Sequence, residues 1–201
     1  MNRCSSPPCT SEIVRYERER PGELLHVDVK KLGRIIRPGH RVTGDRSKRA
    51  KELAGWQYLF VAIDDATRLA FARIYPNETA ASAIAFLAAA TRFYDRHGIG
   101  IERVLTDNGT CFKRRWHDAC TEREIGVRKT RPYRPQTNGK AERLIRTLLE
   151  RWAYAYSYSN EAERAQALPN ALDFYNRYRP HRALAGQTPL QRVNDLSGTN
   201  N

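Results

Sequence analysis

Long apolar runs are missing from this chain. No stretch of its 201 residues approaches the ~18 consecutive apolar positions of a membrane-spanning helix. The N-terminus, MNRCSSPPCTSEIVRYERER, holds no apolar segment of the kind that marks a secretory leader. A chain that stays in the cytoplasm, with no membrane partner, is the expectation. Cysteine is scarce too: Cys4, Cys9, Cys111 and Cys120 are the only four. A cytoplasmic chain keeps such thiols reduced. The array Cys111-x5-His117-x2-Cys120 matches no common zinc spacing and lacks a fourth ligand. Internal repeats and low-complexity tracts are absent as well, so one packed core, with at most an appendage, is expected from this length. The last shortage is of negative charge. Asp and Glu number 22 against 35 Lys and Arg, giving a net charge of +13 and a pI near 10.0.

Such a field favours a polyanionic partner, most often nucleic acid. The positive charge is also clustered. From Lys30 to Lys51 there are nine Lys/Arg and one acid, Asp45; from Lys113 to Arg146 there are eleven and four. A basic surface that served only solubility would not need two concentrations of this kind.

The hydrophobic pattern predicts an alternation of strands and helices. ELLHVDVKKL (23–32) alternates, with Leu25, Val27 and Val29 on one face and His26, Asp28 and Lys30 on the other. A long basic loop or irregular hairpin follows over 33–55. WQYLFVAIDD (56–65) and RLAFARIY (68–75) read as a hairpin turning at DDAT. PNETAASAIAFLAAATRFYDRHG reads as a helix capped by Asn77 and ending before Gly98, with Ile84, Leu87, Thr91 and Tyr94 as its core stripe. IERVLTD is a fourth strand, KRRWHDACTERE a short helix and IGVRKTRPY an extended segment. After the turn-rich loop RPYRPQTNGK come helices over about 138–158 and 161–178, then an irregular tail, RPHRALAGQTPLQRV. Ile145, Leu148, Leu149 and Trp152 should be the buried stripe of the first of these helices. Three antiparallel strands followed by alternating helices and strands predict a mixed α/β sheet with helices on its faces.

Three acids stand where acids are otherwise unneeded. Asp28 interrupts an apolar strand, where Asp is depleted; Asp107 ends the strand VLTD; Glu142 lies in the first turn of a helix. Each has an ordinary reading. Asp28 can point to solvent, Asp107 can start a turn with Asn108 and Gly109, and Glu142 can complement the helix dipole. Taken together, they match the oxygen ligands by which proteins hold Mg²⁺ against phosphates. Asp64 and Asp65, at the far end of the second strand, should lie away from Asp28. Glu102, Asp118, Glu122 and Glu124 read as surface charges.

The segments HVDVK around Asp28, LTDNGTCF around Asp107 and RPYRPQTNGKAER around Glu142 together resemble the catalytic core of the retroviral-integrase superfamily. They resemble the integrase-like transposases of bacterial insertion sequences more closely still. Thirty-four residues separate Asp107 from Glu142, the spacing that the family's acidic triad leads one to expect. FYNRYRPHRALAGQTPLQR is similar to the segment that closes these cores, so the likeness runs from about Glu23 to Val193.

The resemblance implies an RNase H-like α/β fold, with a mixed five-stranded sheet and helices on both faces. It also implies two Mg²⁺ (or Mn²⁺) ions held by Asp28, Asp107 and Glu142. The reaction it implies is one-step transesterification on double-stranded DNA. Water frees a 3′-hydroxyl at element ends, and that hydroxyl attacks target DNA, with no small-molecule substrate. The family works as multimers on paired DNA ends, so a homo-oligomer on DNA is implied, in a bacterial cytoplasm and on the nucleoid when bound. The loop 131–140 is similar to the family's mobile active-site loop. Arg134, Gln136, Asn138, Lys140, Arg143 and Arg146 are then candidates for DNA contact, with Lys48 and Arg49 of the first basic cluster beside them.

On this reading the chain divides into a loose or remnant N-terminal tail (1–22), a catalytic core (23–178) and an irregular C-terminal tail (179–201). The family's full-length enzymes carry an N-terminal helix-turn-helix or zinc-binding module. The 22 residues before the core hold no helix long enough to read a groove, so a chain without its recognition domain is the expectation. A DNA-binding remnant without activity, a hydrolytic nuclease of the same fold and a basic scaffold stay open as other readings.

Overall fold

The computed structural model describes residues 17–35, 55–130 and 138–198. Arg134, Gln136, Lys48, Arg49, Cys4 and Cys9 lie outside them, so the expectations placed on those residues are not addressed by the structure.

Five strands form one mixed sheet in the order β3-β2-β1-β4-β5. They are β1 (Leu25–Gly33), β2 (Trp56–Asp64), β3 (Ala70–Tyr75), β4 (Arg103–Thr106) and β5 (Gly126–Lys129). β1, β2 and β3 run antiparallel as the predicted hairpins require. β4 lies parallel to β1, and β5 parallel to β4. These parallel pairings need crossovers. The crossover from β3 to β4 is α1 (Ala80–Asp95), and the one from β4 to β5 is α2 (Arg114–Thr121). α3 (Gly139–Leu148), α4 (Glu161–Arg177) and α5 (Pro189–Leu196) complete the chain.

The helices cover both faces, and each face has its own core. Leu25, Val27, Phe60 and Ala62 pack with Phe86, Ala90 and Tyr94 of α1 and with Trp116 and Cys120 of α2. Leu32, Leu59, Val61 and Ile63 pack with Leu144, Ile145 and Leu148 of α3, and with Trp152 and Leu168. β2 is therefore apolar on both sides, as a central strand must be. The edge strand β3 is tied to α4 by Asn176, whose amide accepts from Ala70 N at 2.9 Å and donates to Ala70 O at 2.8 Å. Cys111 and Cys120 are free thiols of the first core, and burial pushes both up to about 12.

Five local expectations are corrected. Thr79, not Asn77, caps α1, accepting from Ser82 N at 3.3 Å, while Asn77 accepts from the Thr79 and Ser82 hydroxyls. The core stripe of α1 is centred on Ala83, Phe86, Leu87, Ala90 and Tyr94, with Ile84 and Thr91 half-buried at its margin. The helix expected over 138–158 is α-helical only to Leu148. It then widens into a π turn (Leu149–Ala153) that buries both Trp152 and Ala153, and the Trp152 indole donates to Arg164 O at 2.8 Å. The tail is not irregular throughout. Thr188 and Gln191 form a reciprocal capping box that starts α5, which returns Val193 to the first core. At the other end, residues 17–22 are not loose: Gly22 N donates to Asp64 Oδ1 at 2.8 Å and Arg18 N to Asp65 Oδ2 at 2.6 Å.

Candidate active site

Asp28 sits mid-strand on β1. Its neighbours Val27 and Leu25 face the first core, so parity turns Asp28 toward the face covered by α3. That face is not open to solvent, because His26 on it is only 4% exposed and Leu32 is fully buried. The carboxylate accepts a bond from the adjacent Val29 N at 2.8 Å. In the parallel pair, Leu25 lies opposite Val104 and His26 opposite Leu105. Continuing that register by two residues sets Asp28 level with Asp107. Asp107 is exposed just past β4, and its Oδ1 accepts from Gly109 N at 2.9 Å, the turn anticipated from the sequence. Glu142 is exposed in the first turn of α3, opposite the buried stripe Leu144, Ile145 and Leu148.

Asp28 feels the charge of the other two acids. Burial pushes Asp28 from the usual 3.8 up to about 6, and the negative charges of Asp107 and Glu142 push the same way. The Val29 N–H and the charge of Lys30 oppose the shift without cancelling it. Among the described residues, none of the three acids makes an ion pair. Nor do any three Asp, Glu, His or Cys groups there stand close enough to close on an ion. Asp28 thus feels the charge of the other two acids, and Lys30 offsets it only in part. Hard oxygen donors with an excess of negative charge suit a divalent cation in their chemistry, although the three do not close on one point in this arrangement.

The sequence reading missed a buried polar network beside these acids. His26 Nε2 lies 2.7 Å from Asp65 Oδ1, and His26 Nδ1 lies 3.3 Å from Asn138 Oδ1. Asn138 Nδ2 donates to Val27 O at 3.2 Å. Lys140 Nζ lies 2.6 Å from Asp65 Oδ1 and donates to Asp65 O at 3.2 Å. Burial opposes ionisation of Asp65, but its bonds from His26, Lys140 and Arg18 N outweigh this and hold it well below the usual carboxylate range. Asp64 and Asp65 lie away from Asp28 as expected, since Asp28 pairs with Val61 and Asp64 with Leu25. Asp65 nevertheless ties the β2–β3 turn both to the residue two before Asp28 and to the residue two before Glu142. Asn138 is 4% exposed and bonded to His26 and Val27, while half-buried Lys140 pairs with Asp65, so both are engaged within the protein. Arg143 and Arg146 stay exposed on the Glu142 side of α3. A signal was present in the sequence: His26 shares the Asp28 face, and an Asp-Asp pair ends a buried strand.

Comparison with known proteins agrees with this architecture. The family described as "Integrase core domain" matches residues 18–135, more than half of the chain, and a second family of that description matches 123–189. The chain belongs to the integrase core domain family. This integrase core is 32% identical over 155 residues to a "Putative integrase ORF3" of Spiroplasma virus SpV1-C74, an alignment that covers 70% of the chain and 42% of that protein. The chain therefore spans less than half the length of that relative. Among solved structures, it superposes on the catalytic core domain of BIV integrase with a TM-score of 0.62 and 23% identity, covering 89% of this chain and 97% of that one. It superposes on a chain of a simian T-cell lymphotropic virus intasome, in complex with PP2A regulatory subunit B56 gamma, with a TM-score of 0.67 and 20% identity. That match covers 89% of this chain and 58% of the other. Both likenesses show the fold, and the RNase H-like five-stranded sheet is the one expected from the sequence. Among the described residues, no helix is long and apolar enough to cross a membrane.

Proposed function

We propose that this integrase core carries out metal-dependent cleavage and strand transfer on double-stranded DNA, with Asp28, Asp107 and Glu142 as the ligands of two Mg²⁺ or Mn²⁺ ions. The observation that carries the reading is the shared field of the three acids. They come from a strand interior, a strand end and a helix start, and two of them raise the pKa of the third. A fold that needed none of them for chemistry would gain by replacing Asp28 with an apolar residue.

When bound, the ions supply charge that favours the ionised nucleophile and offsets the developing charge on the leaving oxygen. The chain's own residues do the rest. Asp28, Asp107 and Glu142 fix where the positive charge resides. Arg143, next to Glu142, and Arg146, one helical turn beyond it, present guanidinium groups to phosphates from the same side of α3. The rigid sheet holds Asp28 and Asp107 in register. The Asp65–Lys140 ion pair and the Asn138–Val27 bond fasten the start of α3, which carries Glu142, to that sheet. Such preorganisation keeps the reacting phosphodiester in line with its nucleophile at little cost in reorganisation.

The test is an oligonucleotide assay with Mn²⁺ or Mg²⁺, in which cut and joined products are resolved separately. Joined products that vanish in Asp28→Asn, Asp107→Asn and Glu142→Gln support strand transfer by this site. Cut products alone would make the chain a nuclease of the same fold. Folded protein that binds DNA but yields neither product would remove the catalytic assignment.

A further inference from the structure

The closing motif FYNRYRPHRALAGQTPLQR has no part in the site above, yet it gathers an unusual amount of positive charge. Tyr175 of α4 is 5% exposed. The Arg179 guanidinium lies 5.6 Å from its ring centroid, and the His181 ring packs edge-on at 4.9 Å. Burial pushes the Tyr175 hydroxyl up to about 12, while the charges of Arg179, Arg68 and Arg143 pull it down. Arg179, just past α4, thus lies over the face of this ring and His181 against its edge, while Arg68 of the β2–β3 turn and Arg143 of α3 act on it through their charge. Burial, with the charges of Arg179 and Arg68, lowers His181 to about 4. Backbone bonds fix His181 in place. Its N–H donates to Gln187 O at 3.0 Å, and its carbonyl accepts from Leu184 N at 2.9 Å and Gly186 N at 3.0 Å.

The cluster is under-compensated. Glu17 pairs with Arg68, and Asp65 pairs with Lys140, which also feels Arg68. Arg143 and Arg179 have no ion-pair partner among the described residues. Arg68, 6% exposed, keeps one terminal nitrogen buried with no hydrogen-bond partner there, and so does His181 at Nε2. Buried donors without acceptors are costly and call for a ligand or a water. Exposure rises from buried Arg68 through half-buried Arg179 to exposed Arg143. Tyr175 and Arg179 also line a groove of about 610 Å³ between α3 and α4.

We propose that Arg68, Arg143, Arg179 and His181 form a phosphate-binding site, separate from the carboxylate site, that takes a backbone phosphodiester of DNA running past Glu142. Planar guanidinium groups around a dianion or diester are the arrangement in which Arg surpasses Lys. Only the source of the phosphate rests on the reading of the chain as acting on DNA; the site itself does not.

The experiment follows the ring resonances of His181 by NMR in histidine-labelled full-length protein. Inorganic phosphate is added at constant ionic strength, with chloride as the control, and a short duplex is then added as competitor. Phosphate shifts the His181 ring saturably and chloride does not. Arg179→Ala weakens that binding about tenfold or more, the loss of one charge-assisted contact. Arg179→Lys recovers part of it, and Arg92→Ala on α1 changes nothing. Duplex DNA displaces the phosphate, and Arg179→Ala lowers the salt slope of DNA binding by about one. An absent phosphate-specific shift, or one indifferent to Arg179→Ala, overturns the site. Phosphate binding that duplex cannot displace overturns the DNA assignment in favour of a free phosphate compound. Loss of all DNA binding by the wild type, with phosphate binding retained, sinks the proposed function and leaves the site standing.

Discussion

Asp28→Asn should make the protein more stable at neutral pH and leave it unchanged in acid. Asp28 titrates near 6 in the folded chain against a usual 3.8. The folded state thus holds this proton more tightly than the unfolded state does. As pH rises through the window from about 4 to 6, the unfolded state gains by ionising first, and folding stability falls. A shift of about two units corresponds to roughly 3 kcal/mol, and partial solvent access to the half-buried group trims this to about 2–3 kcal/mol. Asparagine removes the charge, keeps the shape and can still accept from Val29 N. The substitution should therefore raise Tm at pH 7.5 by roughly 5–10 °C for a chain of this size. The gain should shrink to well under 1 kcal/mol near pH 4 and vanish below about pH 3, where Asp28 is neutral in both states. Thermal unfolding of the two proteins across pH 4–7.5 measures the difference directly, and contributions from other groups, Asp65 included, cancel between them. Added Mg²⁺ or Mn²⁺ should stabilise the wild type alone and narrow the gap. A gain that does not depend on pH, or a less stable Asp28→Asn protein at pH 7.5, would refute the reasoning that one strained carboxylate lies in a shared negative field.

Other expectations follow from the same structure. Glu142→Gln or Asp107→Asn should lower the Asp28 pKa, seen as a shift of its carboxyl resonance toward acid pH, because each removes a charge that raises it. Arg146→Ala should weaken DNA of any sequence and reduce the slope of log K against log salt by about 0.9, the share of one phosphate contact; the reading is a binding isotherm at several salt concentrations. Trp152→Ala should cost about 3–5 kcal/mol in urea unfolding, since it empties a fully buried site and strands Arg164 O. Asp65→Ala should destabilise the fold by about 3 kcal/mol or more, because it leaves His26 and Lys140 without their anion; Asp65→Asn should recover only part of that loss.

The sheet was legible because β1 and β2 advertise themselves by alternation and by apolar content, and the crossovers by their helix periodicity. Asp28, Asp107 and Glu142 stood out because acids in and beside apolar strands are unusual, and because the flanking motifs resemble a known family. What escaped was three-dimensional. No local signal shows that α3 covers the polar face of β1, so Asp28 was free to be read as facing solvent. The Asp65–Lys140 pair joins residues that are adjacent only after β2, its turn and α3 have packed together. For the same reason the buried bonds of Asn138 and Lys140 left no trace in the sequence. Thr79 took the cap from Asn77 because both side chains suit the position and tertiary packing chose between them. α5 hid behind Pro and Gly, although Thr188-Pro189 with Gln191 is a helix-start pattern in its own right.

The central claim is that Asp28, Asp107 and Glu142 are one metal site. Calorimetric titration of the folded protein with Mn²⁺ tests it most directly, run beside Asp28→Asn, Asp107→Asn and Glu142→Gln. Each single substitution should weaken Mn²⁺ binding by about tenfold or more, the loss expected when one hard oxygen ligand is withdrawn. Undiminished Mn²⁺ affinity in all three variants would contradict the account.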